Sequence, residues 1–241
     1  MSMHPVALRA AARIAVVLAV LAGVTLLVGC GALGQIGTPA HTPPAQAFTV
    51  GGRVTAVVID GGSGSVDVTG SARSTVSVSQ HASYSRTPPK AVHGLHGTTL
   101  TLSYTCPAEL ECAVSYQVRV PRGVAVTVST SAGAVTLTAL AGRVSARATA
   151  GLVTAVDLRS AVASFNSDAG GVVAAFSAVP ASLTASTKVG PISLTVPAAA
   201  AYRVSTHTVV GTATVTVRRS SSTAHSITAR SDLGSVSVSP A

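Results

Sequence analysis

Residues 129 to 158 read STSAGAVTLTALAGRVSARATAGLVTAVDL, with Gly133, Gly142 and Gly151 nine residues apart and a valine two positions after each (Val135, Val144, Val153). Aligning on glycine and reading two and four residues ahead carries the pattern through the C-terminal half. Gly133 leads to Val135 and Leu137, Gly151 to Val153 and Ala155, and Gly170 to Val172 and Ala174. Gly190 leads to Ile192 and Leu194, Gly211 to Ala213 and Val215, and Gly234 to Val236 and Val238. The intervals are 18, 19, 20, 21 and 23 residues, and upstream Gly64 leads to Val66 and Val68. Repetition at this period marks units that cannot bury an apolar face alone and must stack on one another.

Between the glycine-led segments lie second alternating segments at 125–130, 143–148, 161–166, 182–187, 202–207 and 226–231. Alternation with period two places one face inward and one outward, as in a half-buried strand. Glycine supplies a sharp corner at no steric cost. Two strands per period predict an all-β fold, a right-handed parallel β-solenoid, with Val135, Val153, Val172 and Ile192 in one interior column. The alternative is an antiparallel β-sandwich. Its hairpin signals are sparse, since Asp60-Gly61 is the one Asp-Gly or Asn-Gly pair. Composition agrees with thin stacked strands: the chain is 47% hydrophobic, only 3% aromatic and has no Trp.

Residues 48–120 repeat less clearly. Strands are expected near 54–60, 65–69, 75–80, 99–105 and 114–120, interrupted by a loop over 83–97. This part is expected to be an irregular β N-terminal portion of the same domain, capping an otherwise open end.

The N-terminus reads as an address. Arg9 and Arg13 precede an uncharged apolar run from Ile14 to Val28, which is short for a membrane span and fits a signal peptide. The run ends Leu27-Val28-Gly29-Cys30, which resembles the bacterial lipobox. That resemblance implies removal of residues 1–29 and lipidation of Cys30; simple secretion or an uncleaved anchor are the alternatives. Residues 30–47 are rich in Pro and Gly and carry no charge, so they read as a tether spanning about 25 Å. The expected β domain is 48–241. The expected location is the outer face of the bacterial cytoplasmic membrane, in the cell envelope. Cys106 and Cys112 remain as an even pair in an oxidising compartment, which predicts a disulfide at a hairpin tip.

Three segments together resemble a bacterial family of putative adhesins of unknown function, akin to GIN-type head domains. They are Val118-Arg119-Val120-Pro121, the repeated S-x-x-G-x-V-x-L units, and Gly64 to Val68 (GSVDV). The resemblance covers roughly residues 50–240. It implies a β-helix-like fold and a cell-surface setting, and it supplies no catalytic residues.

Sites for chemistry are few. After removal of Arg9 and Arg13 the chain keeps 16 − 2 = 14 bases against 7 acids, a net charge of 14 − 7 = +7. The bases are scattered and lack interleaved aromatics, which argues against nucleic acid and leaves anionic lipid or an envelope polymer as a partner, with plain solubility as the other reading of the charge. Asp157 and Asp168 are the one carboxylate pair with any prospect of approach across a coil, and His93-x-x-His96 the one chelate-like spacing. Neither makes a catalytic or metal site in sequence, and no cofactor is expected. The reading is a non-enzymatic, lipid-anchored envelope protein for adhesion, binding or scaffolding. Its membrane contact is the lipid, with an envelope polymer or protein as further partner. A carbohydrate-active solenoid enzyme and an envelope-stress sensor partner are the rivals.

Overall fold

Alternating apolar and polar residues between glycine corners give strands and nothing else. The computed structural model describes residues 40–107 and 111–241, and their regular structure is entirely β. The signal segment, with Leu27, Val28, Gly29 and Cys30, lies outside the described residues. The N-terminal part comprises β1 (Gln46–Val50), β2 (Ala56–Asp60), β3 (Val66–Ser71), β4 (Val76–Tyr84), β5 (Lys90–His96), β6 (Thr99–Thr105) and β7 (Cys112–Pro121). Strands then come in pairs. These are β8 (Ala125–Ala132) with β9 (Val135–Thr138), β10 (Val144–Ala150) with β11 (Val153–Leu158), and β12 (Val162–Ala169) with β13 (Val172–Phe176). They continue as β14 (Ser182–Val189) with β15 (Ile192–Val196), β16 (Arg203–Val210) with β17 (Ala213–Val215), and β18 (Ser226–Leu233) with β19 (Val236–Pro240).

The two members of each pair lie in different sheets. A ten-stranded sheet runs β1-β4-β7-β3-β9-β11-β13-β15-β19-β17, and a nine-stranded sheet runs β16-β18-β14-β12-β10-β8-β2-β6-β5. Each pair is therefore one turn of the chain, crossing from the second sheet to the first at a glycine corner. Pairing is parallel throughout the paired region, which is opposite to the antiparallel sandwich alternative. The antiparallel strand pairings among the described residues are β1–β4, β4–β7 and β5–β6, all at one end.

Register aligns the apolar rows. Val135 pairs Val153, which pairs Val172, which pairs Ile192, and Ile192 pairs Val236. All five are at most 1% exposed. Each such side chain contributes roughly 1.5–3 kcal/mol by leaving water. The facing row from the other sheet carries small residues, Ala146, Ala148, Ala163 and Ala185, alongside Phe165 and Leu183. The core is the thin layer between the two sheets.

Three features depart from a pass along the chain. Turns are not stacked in chain order. The last turn, β18–β19, is inserted between β14–β15 and β16–β17, so β16–β17 forms the end of the stack. Inward positions explain this. β18 and β19 present Ile227, Ala229, Val236 and Val238, all buried, whereas β16 presents Val204, Thr206 and Thr208, all half-exposed. The threonine-bearing turn tolerates the terminal position, where only one neighbour covers it. The mirror situation holds at the other end, where β2–β3 lies inside and β6–β7 outside.

Second, Cys106 and Cys112 do form a disulfide, with Cα atoms 5.9 Å apart, but not at a hairpin tip. β6 and β7 belong to different sheets, so the bridge closes a crossover between sheets. Third, the expected loop over 83–97 contains β5, which pairs antiparallel with β6 and extends the second sheet by one strand. Ala91, Val92 and Leu95 supply the apolar residues of this strand, in a segment whose Gly and Pro content reads as a loop.

Candidate functional site

The outward residues of the first sheet are polar because their strands alternate. At the end where β1 and β4 add antiparallel strands beside β7 and β3, these residues line a groove of about 650 Å³. Its floor follows the registered row Ser79, Gln117, Asp67 and Thr136, carried by β4, β7, β3 and β9 in spatial order. The next row, two residues along each strand, is Thr49, Ser77, Arg119 and Thr69. Arg73, from the β3–β4 connection, lines the same groove. Neighbouring strands lie about 4.8 Å apart and alternate residues about 6.8 Å apart along a strand, so the groove presents a grid of hydrogen-bonding groups.

Electrostatically the groove is cationic with one acid. Among the described residues the ion pairs are Arg147–Asp168 at 3.5 Å and Lys188–Asp168 at 3.1 Å, both on the opposite sheet. The guanidinium groups of Arg73 and Arg119 and the carboxylate of Asp67 thus have no ion-pair partner among the described residues. Gln117 and Arg119 are exposed, Asp67 and Ser77 half-buried. Such an array offers charge and directional hydrogen bonds. Two-carboxylate glycoside chemistry needs a facing pair of acids, and Asp67 is the one carboxylate lining this groove.

The residues singled out from sequence go elsewhere. Asp157 sits at a bulge in β11, with φ of 54°, on the first sheet. Asp168 lies near the end of β12 on the second sheet, paired with Arg147 and Lys188. The two aspartates are at opposite corners of the turn. His93 and His96 fall three apart on β5, so alternation sends them to opposite faces. His93 stacks on Phe48 with ring centroids 4.2 Å apart. Among the described residues no group of three or more His, Cys, Asp or Glu side chains is placed to hold a metal. Tyr116 and Tyr202 are core residues, and Tyr104 leans on Tyr116 at 6.4 Å while its hydroxyl donates to the Ser63 carbonyl. Burial raises the Tyr104 phenol above its usual pKa and pushes that of Tyr116 up to about 12.

The groove itself was not legible as a site. Asp67 appears in sequence as one isolated acid and Arg119 as part of a strand motif. What joins them is the β4–β7–β3–β9 order, in which chain neighbours are not sheet neighbours. A usable signal was the polar identity of outward positions in three V-x-V segments, Val66 to Val68, Val76 to Val78 and Val118 to Val120.

A smaller depression of about 470 Å³ opens at the same end of the stack, between β4 and β5, lined by Pro43, Pro44, Pro88, Pro89 and Tyr84 among others. His41 bridges to Tyr84 there by backbone hydrogen bonds, N–H to carbonyl at 2.7 Å and the reverse at 3.2 Å.

Fold and groove together define a two-sheet, mostly parallel β protein with a cationic polar groove on one outer face. No family model matches the sequence and no curated protein matches it. Among solved structures the chain is similar to a putative cell adhesion protein from Clostridium sporogenes, at TM-score 0.46 and 10% identity, covering 83% of this chain and 100% of that one. It is also similar to a putative adhesin from Bacteroides fragilis, at TM-score 0.44 and 13% identity, covering 82% of this chain and 97% of that one. A putative adhesin from Parabacteroides distasonis matches at TM-score 0.33 and 12% identity, covering 82% of this chain and 97% of that one.

Proposed function

We propose that this chain is a non-enzymatic, lipid-anchored protein of the bacterial cell envelope that presents a right-handed β-solenoid as a binding or scaffolding surface. The observation that carries the reading is the groove over β4, β7, β3 and β9, with two guanidiniums that have no ion-pair partner among the described residues beside a grid of neutral hydrogen-bonding side chains. Such a site captures a polar, extended partner without reacting with it. The lipobox-like Leu27 to Cys30 supports anchoring, since acyl chains add roughly 0.8 kcal/mol per buried methylene.

The test has two parts. Full-length chain is expressed in a bacterial host, and the membrane fraction is analysed by intact mass. Lipid on the N-terminal cysteine is expected, with Cys30→Ser moving the protein out of that fraction; an unmodified chain distributed equally in both variants defeats the anchor. Isolated envelopes are then mixed with purified protein and sedimented. Cosedimentation that a heat-unfolded sample does not reproduce is expected, and its absence defeats the binding role.

A further inference from the structure

Resting on that binding role, we infer that the groove takes a sugar acid within a polymer, a carboxylate-bearing polysaccharide of the uronate type. Charge complementarity is the first ground. Arg73 and Arg119 line one cavity and have no ion-pair partner among the described residues, in a chain with a net charge of +9. A guanidinium offers a planar fork that meets a carboxylate with two parallel hydrogen bonds. The second ground is the company those arginines keep. Asp67, Gln117, Ser77 and Ser79 stand on adjacent strands beside them. A carboxylate on the groove floor repels a bare anion but accepts from sugar hydroxyls, and the amide and hydroxyls donate and accept in the same plane. One ligand class satisfies both demands: a ring bearing one carboxylate and several hydroxyls. A densely charged phosphate polymer meets the arginines and is opposed by Asp67.

The third ground is shape. The groove is open, and its floor continues into further hydroxyl side chains along the stack, Thr136 on β9 and Thr154 on β11, at a pitch of about 4.8 Å. An extended polymer lies across the strands and meets an equivalent position at each one. On the second sheet Arg147 and Lys188 are engaged by Asp168, while Arg203 on β16 and Arg230 on β18 stand outside this groove.

Polygalacturonate is the probe, with its fully methyl-esterified form as the uncharged comparison and polyphosphate as the phosphate comparison, each titrated against the purified full chain. Polygalacturonate is expected to bind most tightly, with affinity falling as salt rises. The double variant Arg73→Gln/Arg119→Gln is expected to weaken binding by about tenfold or more, roughly 1.4 kcal/mol, with an unchanged circular dichroism spectrum and melting midpoint. Arg203→Gln/Arg230→Gln removes the same charge from the other sheet and is expected to leave binding within about twofold. Equal loss in both double variants overturns the inference in favour of diffuse charge. Equal or tighter binding of polyphosphate overturns the commitment to a sugar acid, and equal binding of the methyl ester overturns the role of the arginines. Polygalacturonate failing to bind while the chain still sediments with envelopes removes this inference alone; failure of both removes the binding role with it.

Discussion

At the scale of single residues, the corner glycines and the hydroxyls three positions before them act as one device. A Cβ at Gly190, where φ is +141°, would overlap the carbonyl of Gly170 in the neighbouring turn, and the same relation links Gly151 to Gly133 and Gly234 to Gly190. The backbones touch, so each corner carbonyl is shut away from water and needs a donor. The inward hydroxyl supplies it: Ser167 Oγ donates to Gly151 O at 2.8 Å, Ser231 Oγ to Gly190 O at 3.0 Å and Thr208 Oγ1 to Gly234 O at 2.9 Å. This gives a physical meaning to the S-x-x-G spacing. Ser167 is fully buried, so Ser167→Ala should cost about 1–3 kcal/mol by orphaning a buried acceptor. Ala148 occupies the registered position between Thr130 and Ser167, and Ala148→Ser should add about 1 kcal/mol by donating to the Gly133 corner. Urea unfolding of the two variants checks both signs. Gly142 differs: its φ is not in the positive region, and it is small because a Cβ would strike Val124 O at the other corner. The nine-residue spacing visible in sequence is therefore two corners of one turn, of which only every second needs a left-handed backbone.

Tyr116 carries a second residue-scale consequence. Its hydroxyl donates to Ser103 O at 3.2 Å inside the core, and burial, with Tyr104 and Asp60 adding, pushes the phenol up to about 12. The unfolded value is about 10. A folded pKa above the unfolded one contributes stability that is complete below pH 10 and is lost as pH rises towards 12. The urea midpoint should be flat into the mildly alkaline range and then fall across that window. Tyr116→Phe should make the fall shallower, though not abolish it, because burial raises Tyr104 and Tyr202 as well.

At the scale of elements, strand existence was legible and strand neighbours were not. The alternation predicted strands over 125–130, 182–187 and 226–231, and these became β8, β14 and β18 with boundaries displaced by two residues or fewer. Period two depends only on the local choice of face, which every residue announces. Spatial order depends on which turn has the better apolar interior, and that comparison is invisible to a pass along the chain. The insertion of β18–β19 makes a sharp prediction. β16 pairs only with β18 and β17 only with β19 among the described residues. Val236→Asp places an unpaired carboxylate in the core of the inserted turn, at a cost of several kcal/mol. Hydrogen exchange should then show β16 and β17 losing protection together with β18 and β19, while β8 to β11 keep theirs. Retained protection in β16 would require it to sit on β14 instead.

At the scale of the molecule, each turn touches only its spatial neighbours, so stability is a sum of nearest-neighbour terms and the two ends are free to loosen independently. The groove, the antiparallel strands and the disulfide share one end. There the crossover between sheets is least supported by repetition, since β5 pairs only with β6 and β1 only with β4 among the described residues. The Cys106–Cys112 bridge ties β6 to β7 across the sheets with a separation of 6 residues. A loop that short contributes about 2 kcal/mol through the unfolded chain. In a nearest-neighbour stack that contribution is spent locally. Cys106→Ser/Cys112→Ser should therefore accelerate exchange of β5, β6 and the first residues of β7, and leave β12 to β15 at wild-type protection. The floor of the groove is built on β7, so the same variant should also weaken any binding in the groove, and stabilising the far end of the stack should not restore it. A uniform loss of protection from β2 to β19 would instead mean that the stack unfolds as a single cooperative block, in which case the disulfide guards the whole molecule rather than the groove end.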